Sequence, residues 1–282
     1  MLLYTNIISN TGIAHRGTPI ERTRKPIQAI FNELGETHTR RAYRMNQDAF
    51  WRLVKLLSPH IKEEDETEEG SRKRKRRGAT NGFISNAARV SLAIRYFAGG
   101  SPYDLMITHG VSHTEVYNSI WKVVDAVNSC PELAITFPTC HAKQRELASG
   151  FYVVSAAGFD SVVAAVDGML IWTDRPSQHE CDVQKCGPLK FYCGRKKKFG
   201  LNMMQGTCDY KGRFLDVSIG HPGSTSDFLA FDTSILKHRL ENGLLAAGLA
   251  ILGDNAYCNS SYLATPFKNV KVRGPEDNYN VL

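Results

Sequence analysis

A chain of 282 residues, 42% of them hydrophobic, can bury a sizeable core and has room for two domains, which excludes a wholly disordered protein. No uninterrupted apolar run reaches the roughly 20 residues that a membrane helix needs, so no membrane partner is expected. The opening MLLYTNIISN lacks the basic leader and small-residue cleavage site of a secretory signal, and a net charge of +7 favours a polyanion such as DNA or RNA as partner without demanding one.

Residues 1–44 show little periodicity and many polar side chains, and read as a flexible N-terminal arm. From residue 45 to about 150 the apolar spacing becomes helical. Met45, Phe50, Leu53, Val54, Leu56 and Leu57 form the first stripe, with Asn46 as N-cap and Pro59 as stop. A charged loop, 62–80, follows. An acidic run from Glu63 to Glu69 turns directly into Arg72–Arg77, and no packed core can be built from it. The basic block reads as a nuclear-import signal or a phosphate-binding patch, or else as one half of a self-neutralising linker.

Two further helices are expected around a short middle segment. The first runs from Ile84 to Phe97 and is closed by Gly99-Gly100. The second starts after Gly110-Val111-Ser112 and carries Val116, Ile120, Val123, Val124 and Val127. Ser112 and Glu115 have the spacing of a capping box. Short helix, glycine turn and capped helix make a helix-turn-helix-like pattern, whose DNA-binding form would present His113, Thr114, Tyr117 and Asn118 to a groove. An ordinary helical hairpin fits the same pattern.

After residue 150 the period changes. Val162–Val166 is a β-branched apolar run ending in Asp167. Phe199–Cys208 alternates, and Phe214–Ile219 is joined to it by the turn Asp209-Tyr210-Lys211-Gly212. A helix is expected from Thr225 through Leu240, then a strand over Leu249–Leu252 ending in Gly253-Asp254. Strand, strand, strand, helix, strand is the order of the first half of a ribonuclease-H-like α/β fold with a mixed sheet. Ligands of open α/β sheets gather at the carboxyl ends of strands. Asp167 and Asp254 would face each other there, with Asp227 approaching from the start of the helix. Clustered carboxylates repel unless a cation joins them, and Mg²⁺ or Mn²⁺ takes such hard oxygen ligands. Each aspartate alone could equally be a turn or helix cap.

Arg195, Lys196, Lys197 and Lys198 precede the alternating strand and could contact phosphates or only solvent. The seven cysteines are odd in number, which argues against a disulfide framework and for a reducing compartment. His179, Cys181, Cys186 and Cys193 lie close enough in sequence for a zinc site, although the spacings favour buried thiols.

The stretches VDGMLIWTDRPS (166–177), CGRKKKFGLNMMQGTCDYKGRFLDVSIGHPGSTSDFLAF (193–231) and GDNAYCNSSYLATPF (253–267) together resemble the PIF/Harbinger class of DDE transposases and the nucleases derived from them. YRM (43–45) and RYFAGGSPYD (95–104) look like the region found upstream in some of these proteins. The resemblance implies a DDE transposase/nuclease domain over 151–282, with metal-dependent cleavage and joining of DNA in the nucleus. Asp167, Asp227 and Asp254 would be its metal-binding catalytic residues, and a separate DNA-binding protein its partner. The family's last acidic residue is a Glu on a later helix. DNYN (277–280) resembles its lead-in, and Glu276 and Asp277 precede that lead-in, so an incomplete domain, truncated before the Glu, is expected. A non-catalytic DNA-binding protein of transposase descent is the alternative expectation.

Overall fold

A computed structural model of the chain describes residues 21–61, 83–155, 158–183 and 186–267, together with Val270 and Gly274. The charged loop 62–80, residues 1–20 of the 1–44 arm and the segment 277–280 therefore lie outside the described residues. Contacts divide the chain into two units between Ala134 and Ile135, earlier than the boundary near 150 expected from the sequence.

The first unit is helical. Its helices are α1 (Ile27–Tyr43), α2 (Gln47–Leu57), α3 (Asn86–Phe97), α4 (Pro102–His109) and α5 (His113–Ser129), followed by a single 3₁₀ turn at Pro131–Leu133. α1 corrects the reading of residues up to 44 as a flexible arm. Its regular pattern is interrupted at Gly35, which sits at φ 69° where two helical pieces join across a kink. The buried Phe31 and Tyr43 of α1 meet Phe50 of α2 edge to face at 4.8 and 5.8 Å from one ring to the next. Asn46, Ser85 and Ser112 each cap a helix, their side chains accepting from Ala49, Ala88 and Glu115 N–H. The Glu115 carboxylate is bound by Arg89 Nη1 at 2.6 Å, an ion pair largely shielded from water. Beneath it, Ser91 Oγ joins Tyr43 Oη at 2.9 Å to His109 Nε2 at 2.8 Å. No helix among the described residues is long and apolar enough to cross a membrane.

The second unit is a mixed six-stranded sheet with helices. Its elements are α6 (His141–Val154), β1 (Val162–Trp172), α7 (Gln178–Val183), β2 (Tyr192–Cys193), β3 (Lys198–Cys208), β4 (Phe214–Pro222), α8 (Asp227–Asp232), α9 (Ile235–Glu241), β5 (Ala250–Leu252) and β6 (Leu263–Ala264). β1 lies between β3, its antiparallel neighbour, and β5, its parallel neighbour. β3 also pairs antiparallel with β2 and β4, and β5 pairs parallel with β6. This order is consistent with a ribonuclease-H-like fold.

Val163, Ala164, Val166, Ile251 and Leu263 are buried with Phe231, Leu236, Leu240 and Tyr257 in one core. α6 packs on β1. Its buried Gln144 donates to Pro138 O at 2.9 Å and Leu244 O at 2.8 Å and accepts from Ala246 N, so a single side chain satisfies three main-chain groups.

Two local expectations need correction. β1 does not stop at Asp167 but runs on to Trp172, because β3 keeps pairing with it as far as Gly200. The single helix expected from Thr225 is two, α8 and α9, since Ser234 Oγ accepts from Lys237 N and starts a second helix.

Candidate metal centre

Asp167 lies in the middle of β1, paired with Gly206 of β3. It nevertheless stands just beyond the parallel part of the sheet. The last β1–β5 pair is Ala165 with Leu252, so Asp167, within β1, and Asp254, in the turn after β5, are each two residues past that pair. Both are exposed. Asp167 Oδ1 accepts from Gly168 N at 2.7 Å, and Asp254 Oδ1 from Ala256 N at 2.9 Å, which leaves the second oxygen of each carboxylate open to a ligand.

Gly253 makes the turn after β5 possible. A Cβ there would stand 2.8 Å from the ring of Tyr257 and 3.2 Å from Leu263 Cδ1. The buried Tyr257 Oη donates to Gln205 Oε1 at 3.4 Å, and Gln205 Nε2 donates to the main-chain oxygen of Asp227 at 3.1 Å. Burial and the three surrounding aspartates push the Tyr257 hydroxyl up, so it stays a donor.

Asp227 is the first residue of α8, and the cap is Ser226, whose hydroxyl accepts from Leu229 N. The capping role that an isolated aspartate might have had is thus taken by its neighbour. Gly223 in the preceding turn allows the chain to pass close to Phe191 O and Gly200 O, which a Cβ would meet at 2.4 and 2.8 Å. The Asp227 side chain is buried, and Oδ1 has no hydrogen-bond partner. Oδ2 faces Arg195 Nη2 at 3.6 Å. Burial raises the Asp227 carboxyl above the ordinary carboxylate range. Arg195 pulls it down, while Asp254 and then Asp167 push it up again.

An orphaned buried carboxylate oxygen beside two open carboxylates is a hard-oxygen donor set that fits Mg²⁺ or Mn²⁺. The oxygens of the three aspartates are not all within 4.8 Å of one another; among the described residues the group that meets that spacing is His60, Cys130 and Glu132.

Arg195, Lys196 and Lys197 form the exposed tip of a hairpin between β2 and β3, with Lys197 at φ 53°. β2 gave no sequence signal because it is two residues long. Of the helix-turn-helix residues, Thr114 and Asn118 are exposed on α5, and His113 is half-buried, stacked on Tyr103 at 5.0 Å. The His179, Cys181, Cys186 and Cys193 grouping does not assemble. Cys181 and Cys186 adjoin through the turn that closes α7, with Cys186 N donating to Cys181 O at 3.2 Å, but no three of these four residues bring their ligand atoms together among the described residues. All seven cysteines are free thiols. Gln205 was missed in the sequence; its signal was a glutamine at a buried position of an alternating strand.

Asp167 in β1, Asp254 in the turn after its parallel neighbour β5, and Asp227 at the start of α8 make a candidate carboxylate centre on a mixed α/β sheet. Residues 166–281 match the DDE superfamily endonuclease family. Over 205 residues the chain is 24% identical to Protein ALP1-like of Arabidopsis thaliana, a match covering 68% of this chain and 47% of the relative. The chain thus spans about half the length of that relative. No solved structure matches the chain.

Proposed function

We propose that the second unit cleaves and rejoins DNA phosphodiester bonds as a transposase-derived endonuclease of the PIF/Harbinger class. Asp167, Asp227 and Asp254 would hold its Mg²⁺ or Mn²⁺ ions. The observation that carries this reading is the matched offset of Asp167 and Asp254, with the unpartnered Oδ1 of Asp227 beside them. Bound divalent cations supply Lewis acidity and a deprotonated water to such a site.

The chain's own residues do the rest. Asp167 and Asp254, both exposed, present open oxygens on the side a substrate would approach. Gln205 and Tyr257 fix the main chain that carries Asp227. Arg195, Lys196 and Lys197 offer charge to backbone phosphates, contacts that position a duplex without reading its sequence. Thr114, Asn118 and His113 on α5 are the groove-facing residues of this reading, which includes a separate DNA-binding partner protein and work in the nucleus.

Supercoiled-plasmid nicking with Mg²⁺ or Mn²⁺ tests it, comparing the chain with Asp167→Ala. Metal-dependent nicking that disappears in the variant supports the proposal. Salt-sensitive, metal-independent DNA binding without nicking by either form would favour a non-catalytic DNA-binding protein of transposase descent, which the exposed basic hairpin also suits.

A further inference from the structure

We infer that the helical unit holds a second metal site, chemically unlike the aspartate centre, in which His60, Cys130 and Glu132 bind Zn²⁺. The ligand atoms of these three side chains all lie within 4.8 Å of one another. They come from separate parts of the same helical unit. His60 lies in the turn that closes α2, where its N–H donates to Leu57 O. Cys130 is the C-cap of α5, and Glu132 stands two residues on in the 3₁₀ turn.

The thiol is buried, and its Sγ donates to Glu132 Oε2 at 3.3 Å. Half-buried His60 and exposed Glu132 leave the group open on one side. A thiolate, an imidazole and a carboxylate suit a tetrahedral borderline-soft ion, with water in the fourth position. The same set is a poor match for Mg²⁺, which prefers oxygen alone.

An ordinary thiol–carboxylate hydrogen bond explains the Cys130–Glu132 contact but not the histidine brought to it from a position 70 residues earlier. A metal there would join the end of α2 to the end of α5 and close the long loop between them, and its binding would displace the thiol proton.

The test uses the full chain, stripped with chelator and titrated with Co²⁺ as the spectroscopic probe and then with Zn²⁺ in competition. The expected result is one equivalent of Co²⁺ giving a near-ultraviolet thiolate-to-cobalt charge-transfer band, displaced by Zn²⁺. The band is absent in Cys130→Ser and present in Cys181→Ser. His60→Gln, a change at a half-buried turn that should leave the fold intact, weakens Co²⁺ at least ~10-fold. Carboxylates give no such band, so binding at Asp167, Asp227 and Asp254 does not imitate it. No band in the wild-type chain, or a band that survives both Cys130→Ser and His60→Gln, overturns the inference.

Discussion

Gln205 Nε2 reaches the main-chain oxygen of Asp227 at 3.1 Å, so β3 directly anchors the first residue of α8. The same amide accepts from Tyr257, which follows Asp254 in the turn after β5. One side chain therefore ties the main chain of Asp227 to the turn that follows Asp254. Gln205→Leu removes both bonds and leaves the buried Tyr257 hydroxyl without its acceptor. The expected cost is about 1–3 kcal/mol in chemical denaturation, together with a loss of metal-dependent nicking larger than the loss of DNA binding.

Asp227 makes a prediction of opposite sign for stability. Its folded carboxyl titrates above the ordinary 3.8, first because it is buried, then through its acidic neighbours. The folded chain thus keeps that proton more tightly than the unfolded chain, and the stability it lends at low pH is lost as pH rises through the folded value. Without metal, Asp227→Asn should raise the melting temperature at neutral pH and flatten its pH dependence above the ordinary carboxylate range. With Mg²⁺ or Mn²⁺ added, the wild-type melting temperature should rise more than that of the variant, which thermal scans at two pH values would reveal.

Gly253 is required by space, not by backbone conformation. Gly253→Ala places a methyl against the Tyr257 ring and Leu263. The ring must move, which costs about 1–3 kcal/mol and disturbs the Tyr257–Gln205 bond. Urea denaturation should show the loss, and Tyr257→Leu in the same chain should relieve part of it.

His109 sets an acid limit for the helical unit. Burial lowers its imidazole from 6.5 to about 4, with Ser91 and Thr108 hydroxyls on its two ring nitrogens. The unfolded chain takes up a proton there before the folded one does. Stability is therefore full above about 6.5 and falls as pH drops toward 4, by up to about 3 kcal/mol. His109→Gln should remove most of this slope in denaturation curves measured between these values.

Much of this site is legible in the sequence because its geometry is local. A β-branched run before Asp167, a Gly-Asp after an apolar strand and a Pro-Gly turn ahead of Asp227 each mark a backbone feature that short-range chemistry imposes. The less legible parts depend on pairing or on packing. β1 extends past Asp167 only because β3 lies beside it, and β2 exists only as a partner for Lys198 and Phe199. α1 escapes periodicity because Gly35 shifts its phase, although Phe31 and Tyr43 bury themselves on either side. Gln205 looks like any strand glutamine until Tyr257 and Asp227 are brought to it from 52 and 22 residues away.

Whether the three aspartates act as one cation site is tested most directly by Mn²⁺ binding, followed through the electron paramagnetic resonance signal of the free ion. The wild-type chain should withdraw Mn²⁺ from solution, and Asp167→Asn, Asp227→Asn and Asp254→Asn should each weaken that binding at least ~10-fold while keeping the wild-type circular dichroism. Equal Mn²⁺ binding by the wild type and all three variants would contradict the account.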